Sequence, residues 1–207
     1  VSSILNDSDG KPYDFPKLDE TGAPPKHLTP FEKALAFTMN EEGGHLTEAE
    51  AKRVGDRGGE TLWGFAKKYN PDIDYSTFTK EQAAHRAKTR YWDAIRGDEL
   101  PPLVGFVLFD YAFNSGAPWA AMELQRAIGA KPDGRIGPST LRKLRSKNPE
   151  EIARKLLRLR GAYYSVKSVE QPQFAKGWNS RLRNQAWSAG KVAGQHSSAP
   201  SEDDRSI

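Results

Sequence analysis

The sequence predicts an α+β fold that is mostly α, with one small Gly-rich sheet or hairpin. Three observations carry this. Helix-start signals recur from Thr29 to Pro149. Apolar residues between them return at helical spacing. One stretch, 44–64, breaks that pattern with glycines and charge and has no helical period at its end. Many helices and a single irregular sheet segment are the makings of that class.

The elements follow in order. Thr29-Pro30-Phe31-Glu32 is a helix start: Thr as N-cap, Pro first, Glu third. That helix runs to about Glu42 and stops at Gly43-Gly44. Thr79-Lys80-Glu81-Gln82 is a second capping box and opens a helix to about Ile95. Pro101-Pro102 starts an apolar helix from Leu103 to about Asn114. Pro118 starts another, to Ile128. Gly137-Pro138 opens a short one to Leu144, and Pro149 a long one to about Ser165. A last helix lies between about Pro172 and Ala189.

The 207 residues suffice to bury a core. Mean hydropathy is -0.73, and no apolar run approaches the roughly 20 residues of a spanning helix. There is no Cys, which excludes disulfides, thiolate-ligated zinc and thiol catalysis. His27, His85 and His196 are scattered, so neither a metal nor a cofactor is expected. Residues 1–29 read as a linker or extended segment and 191–207 as a disordered tail. The body is 30–190, with a helical lobe over 102–190. From Arg142 to Lys191 there are 13 Lys/Arg against 3 Asp/Glu. Such a segment is either a solvated helix face or a surface for anionic partners. The chain begins at Val1 with no signal-peptide pattern, which reads as a piece of a longer protein or a processed product.

Glu42 is the most informative residue. Taking Phe31 as zero, Ala34, Leu35, Thr38 and Met39 fall within roughly 80° of it on a helical wheel. Glu42 lies eleven positions on, about 1100°, which is about 20° from Phe31. It therefore continues the apolar stripe, whereas Glu41 falls at its edge and reaches water. Burial and the helix C-terminus both disfavour its ionisation. A carboxylic acid kept neutral is what a glycosidase uses as general acid. Alternatively, Glu42 pairs with an Arg or ends the helix.

A second group is Gly55-Asp56-Arg57-Gly58-Gly59-Glu60-Thr61-Leu62-Trp63-Gly64. Asp56 and Thr61 are polar groups suited to face such an acid, by stabilising positive charge or holding a water. Glu60, Glu48 and Glu50 are further candidates. A turn with Asp56 bonded to its own backbone is the plainer reading. Trp63, in the Gly-rich stretch, is a candidate substrate wall, and Trp92 and Trp187 read as core. Asp110 and Asn114 share a face of an apolar helix, so Asp110 either lines a cleft or anchors the fold. Asp133 to Thr140 reads as a turn feeding a helix.

Glu42-Gly43-Gly44, then Asp56-x-Gly58-Gly59-x-Thr61-x-x-Gly64, resembles glycoside hydrolase family 108, the phage-type N-acetylmuramidases. The downstream blocks Phe109 to Gly116 and Leu124 to Thr140 resemble the peptidoglycan-binding segment of that family. The resemblance implies a lysozyme-like, two-lobed domain that hydrolyses the β-1,4 bond between N-acetylmuramic acid and N-acetylglucosamine. It places the catalytic Glu on Glu42 and further catalytic positions on Asp56 and Thr61. The stretch from His45 to Gly55 is longer than usual in the family, and His45 stands where the family has an aromatic residue, as a substrate contact or simply a strand residue.

The expected partners are peptidoglycan glycan strands, anionic wall polymers, and an immunity or delivery protein if the chain is an antibacterial effector. No nucleic acid is expected. Action at the cell wall or periplasm follows, by phage lysis or toxin secretion. The alternatives are a lytic transglycosylase and a non-catalytic wall-binding module.

Overall fold

A computed structural model describes residues 14–42, 45–47, 49, 50, 53 and 59–197. Seven helices and one small sheet are described: α1 (Pro30–Glu41), α2 (Lys80–Ala87), α3 (Pro102–Ser115), α4 (Ala117–Ile128), α5 (Pro138–Arg145), α6 (Pro149–Glu170) and α7 (Ala175–Ser197). The class is the mostly-α, α+β arrangement that the sequence predicts. Strands β1 (His45–Leu46), β2 (Thr61–Leu62) and β3 (Phe65–Ala66) form an antiparallel sheet in that order. His45 pairs with Leu62, and Thr61 with Ala66.

The helix starts are local chemistry. At α1, Thr29 accepts from the Glu32 amide while Glu32 reaches back to the Thr29 amide. Thr79 and Gln82 do the same at α2. Each box satisfies two otherwise orphaned amides. α2 ends earlier than Ile95. Its continuation, Lys88–Trp92, widens to π-helical bonding, with the Asp93 amide donating to Lys88 O at 2.8 Å. This turn presents Trp92 inward, fully buried. Its indole donates to Asp98 at 2.8 Å.

α3 is the central element. Leu103 through Phe113 are all buried, so this helix is enclosed on every side. It packs against α1, α4, α6 and α7. Fully burying each of its Phe and Leu side chains contributes about 1.5–3 kcal/mol.

Of the two readings of the N-terminal segment, linker or extended, residues 14–29 follow the extended one and dock on the body. Ala23 is buried, and Phe15 and Leu18 pack on the core. Ser188 of α7 donates to Gly22 O at 2.9 Å, and the Trp187 indole donates to Thr21 O at 3.1 Å. Trp187 is therefore not core: it is 57% exposed and acts as a strap for this segment. At the other end α7 runs to Ser197, past the expected Ala189. No described helix is long and apolar enough to cross a membrane.

Candidate active site

A cleft of about 1130 Å³ opens where α1 ends. Glu42 and Gly64 stand on one side, Arg90 and Tyr91 of the π-helical stretch beside them. Phe113 and Asn114 at the end of α3 form its base, and Trp119 of α4 with Tyr163 of α6 form the far wall.

Glu42 takes the C-cap position of α1, with φ −80° and ψ −10°. Its side chain is 17% exposed. Arg181 Nη2 of α7 stands 2.8 Å from Glu42 Oε1, an ion-pair distance. Burial raises the Glu42 pKa, Arg181 opposes this, and Asp110 adds to it; the net direction is upward. Among the described residues Glu42 is the sole acid lining the cleft.

The β2–β3 turn shapes the ground beside it. Trp63 and Gly64 both have positive φ, 48° and 80°, as a two-residue hairpin of primed type requires. A Cβ on Gly64 would lie 2.9 Å from Glu42 Oε2 and 2.6 Å from Phe113. Only glycine fits there. Tyr75 fixes β3 by donating to Phe65 O at 2.7 Å.

The other site residues named from the sequence divide sharply. Asn114 lines the cleft, its amide donating to Asp110 O at 2.8 Å. Thr61 sits on β2 and donates to Gly59 O at 3.1 Å. His45 on β1 shares a 3.2 Å contact with Glu60. Neither Thr61 nor His45 is among the cleft-lining residues. Trp63 does not line it either: its ring packs between Phe15 and Phe78, at centroid distances of 6.0 and 5.7 Å. Glu60 is engaged by His45 and Lys67, and Glu50 caps the Thr47 amide at 3.0 Å. Asp56, Gly43, Gly44 and Glu48 lie outside the described residues.

Of the two readings of Asp110, cleft-lining and fold-anchoring, the structure supports the anchor and not the substrate contact. Asp110 is fully buried, so no substrate reaches it. Arg181 donates to it through Nε at 3.1 Å and Nη2 at 2.5 Å. Thr38 donates at 3.0 Å, and Arg160 Nη1 also donates. Burial alone would raise its pKa, but the two guanidiniums hold it well below the usual carboxylate range. Arg160 is buried as well, and its remaining bonds go to Tyr164 at 2.9 Å and Gln185 at 2.8 Å. Asp110 thus ties α3 to α1, α6 and α7 directly behind the cleft.

Sequence reasoning missed Arg181, which lies 71 positions from Asp110. It also missed the far wall. Trp119 is 36% exposed, and its indole donates to Tyr111 at 3.3 Å. Arg90 Nη1 donates to the buried Asn70 at 2.7 Å, which steadies an exposed cation at the cleft edge. No group of three or more metal-ligating side chains occurs among the described residues.

Residues 35–116 match the family Glycosyl hydrolase 108. Residues 119–183 match the Predicted Peptidoglycan domain, so family and layout are those that the motifs resemble. The chain is also similar to the solved structure of Brucella abortus SagA, with 28% identity and a TM-score of 0.66. That match covers 77% of this chain and 94% of SagA. No protein of curated function matches. The glycosyl hydrolase segment followed by the peptidoglycan domain indicates a peptidoglycan hydrolase. The cleft is built by both segments, since Glu42 and Phe113 belong to the first and Trp119 and Tyr163 to the second.

Proposed function

We propose that the protein is an N-acetylmuramidase, hydrolysing the β-1,4 bond between N-acetylmuramic acid and N-acetylglucosamine with Glu42 as general acid. The observation that carries this reading is a mostly buried carboxyl, its pKa raised, lining a cleft of about 1130 Å³ in which it is the sole acid among the described residues. Glu42 protonates the glycosidic oxygen as the bond to the leaving sugar breaks. Positive charge then grows on the muramic ring. Asp56, directly or through a water, meets that charge. Water completes the hydrolysis, and Glu42 ends the first step as a carboxylate beside Arg181.

The far wall suits sugar rings. Trp119 and Tyr163 lie 6.3 Å apart, centroid to centroid, and offer apolar faces with polar edges. Arg90, an exposed cation lining the cleft, is suited to pair with an anionic group of the wall substrate. Away from the cleft, Lys147, Arg154, Lys155 and Arg158 surround a second hollow of about 670 Å³. This basic face supports binding to anionic wall polymers and action at the cell wall.

Mass spectrometry of digested sacculi tests the reaction. Hydrolysis leaves muropeptides with a reducing muramic acid end. A 1,6-anhydro product would instead make the protein a lytic transglycosylase. Release of no muropeptides at all would leave a wall-binding module.

A further inference from the structure

We propose that Arg181 is a positioning residue for Glu42: it engages Oε1 and so leaves the transferable proton on Oε2, the oxygen on the cleft side. The proposal rests on reading Glu42 as the acid. A guanidinium carries donors only. The oxygen facing it at 2.8 Å therefore has to stay unprotonated. Oε1 is shut off from solvent and has no hydrogen bond of good geometry from any described group. The 17% exposure of the side chain accordingly lies on its other atoms. Oε2 lies toward Gly64 and Phe113, both of which line the cleft. In the neutral acid, the proton then points to the substrate side rather than being shared between two equivalent oxygens.

Arg181 cannot swing away. Its side chain is 11% exposed and forks onto Asp110 through Nε and Nη2. Asp110 is in turn gripped by Thr38 and Arg160. A chain of buried groups, Arg160–Asp110–Arg181–Glu42, therefore runs from α6 through α3 and α7 to the end of α1. The charged and titratable groups facing Glu42 are Arg181 from α7, Asp110 from α3, Arg160 from α6 and Tyr91 from the π-helical stretch. On its own helix, Glu41 is turned to Asn184, at 3.0 Å. Gly64 of the hairpin brings no charge.

One consequence concerns the segment matched by the peptidoglycan domain. Residues 119–183 contain both Arg160 and Arg181. That segment completes the acid's surroundings and is not a detachable wall anchor.

The test uses the full chain. Carbon-13 NMR follows the Glu42 carboxyl through a pH titration, alongside kcat and KM on purified sacculi. In Arg181→Met, the cation favouring the Glu42 carboxylate is gone, so the Glu42 titration moves to higher pH. The alkaline limb of kcat moves the same way. We expect kcat to fall about 10²-fold through misplacement of the acid, with KM within about twofold. A folded Arg181→Met whose Glu42 titrates as in the wild type, or whose kcat is unchanged, overturns the proposal.

If Arg181→Met does not fold, Arg181→Lys carries the test. A single ammonium keeps the charge but cannot fork onto Asp110 and reach Glu42 together. The expected result is a folded protein with kcat at least about tenfold lower; wild-type kcat overturns the proposal. The two assignments fail separately. A Glu42→Gln variant that digests sacculi normally removes the acid assignment whatever Arg181 does. An inactive Glu42→Gln beside indifferent Arg181 variants removes the positioning role alone.

Discussion

Gly64→Ala is the substitution that the site tolerates least for its size. The position has φ +80°, which disfavours any L side chain by about 1–2 kcal/mol. The new methyl would also lie 2.6 Å from Phe113 Cε1 and 2.9 Å from Glu42 Oε2. Phe113 has little room to retreat, because Phe65, Tyr91 and Phe109 surround its ring at 5.4, 4.9 and 6.1 Å. Overpacking of this kind costs about 1–3 kcal/mol. The sum is about 2–5 kcal/mol. At about 2–4 °C per kcal/mol for a chain of this size, Tm should drop by about 4–20 °C. The Glu42 carboxyl is the softer neighbour and has to shift, so turnover below the new Tm should fall about 10²-fold. Thermal melting by circular dichroism and clearing of a sacculus suspension measure both. Gly190→Ala is the control: it lies in α7 with nothing within 4 Å of a Cβ, and should be neutral or slightly stabilising. A Gly64→Ala protein that melts and turns over like the wild type refutes the packing argument.

Other substitutions probe the same structure. Asp110→Asn leaves two buried guanidiniums without their carboxylate and should lower unfolding free energy by about 3–5 kcal/mol in denaturant titrations. Because the folded pKa of Asp110 is depressed, its contribution is complete above the unfolded value of about 3.9. It is lost as pH falls toward the folded value, so wild-type Tm should decline steeply with acid and Asp110→Asn less so. Trp119→Ala should raise KM about 2- to 10-fold with kcat little changed, the range of one aromatic contact. Replacing Lys147, Arg154 and Arg158 together by Gln should weaken sedimentation with sacculi at low salt. The difference should shrink at high salt, where exposed charges are screened.

What could be read from the sequence was whatever is local. The capping boxes at Thr29 and Thr79 each lie within four residues, and both helices start there. The position of Glu42 followed from counting around one helix, and its half-hidden carboxyl agrees with that count. What stayed hidden depends on distant partners. Asp110 could line a cleft or anchor the fold until Arg160 and Arg181, 50 and 71 positions away, were seen to enclose it. Trp187 looked like core because its residue type is apolar. Only the docking of residues 14–29 explains why it stays half outside. The far wall was unreadable for a similar reason: Trp119 and Tyr163 belong to different helices, 44 positions apart in sequence, and meet only where α4 packs on α6.

The most direct measurement is digestion of purified sacculi by Glu42→Gln, with melting recorded on the same sample. Since the native carboxyl is raised toward its neutral form, an amide of the same shape should leave the fold intact while removing the proton to be given. The expected result is a cooperative melt at or above the wild-type Tm at neutral pH, and no muropeptides released. Muropeptide release at the wild-type rate would contradict the role of Glu42 and, with it, the mechanism.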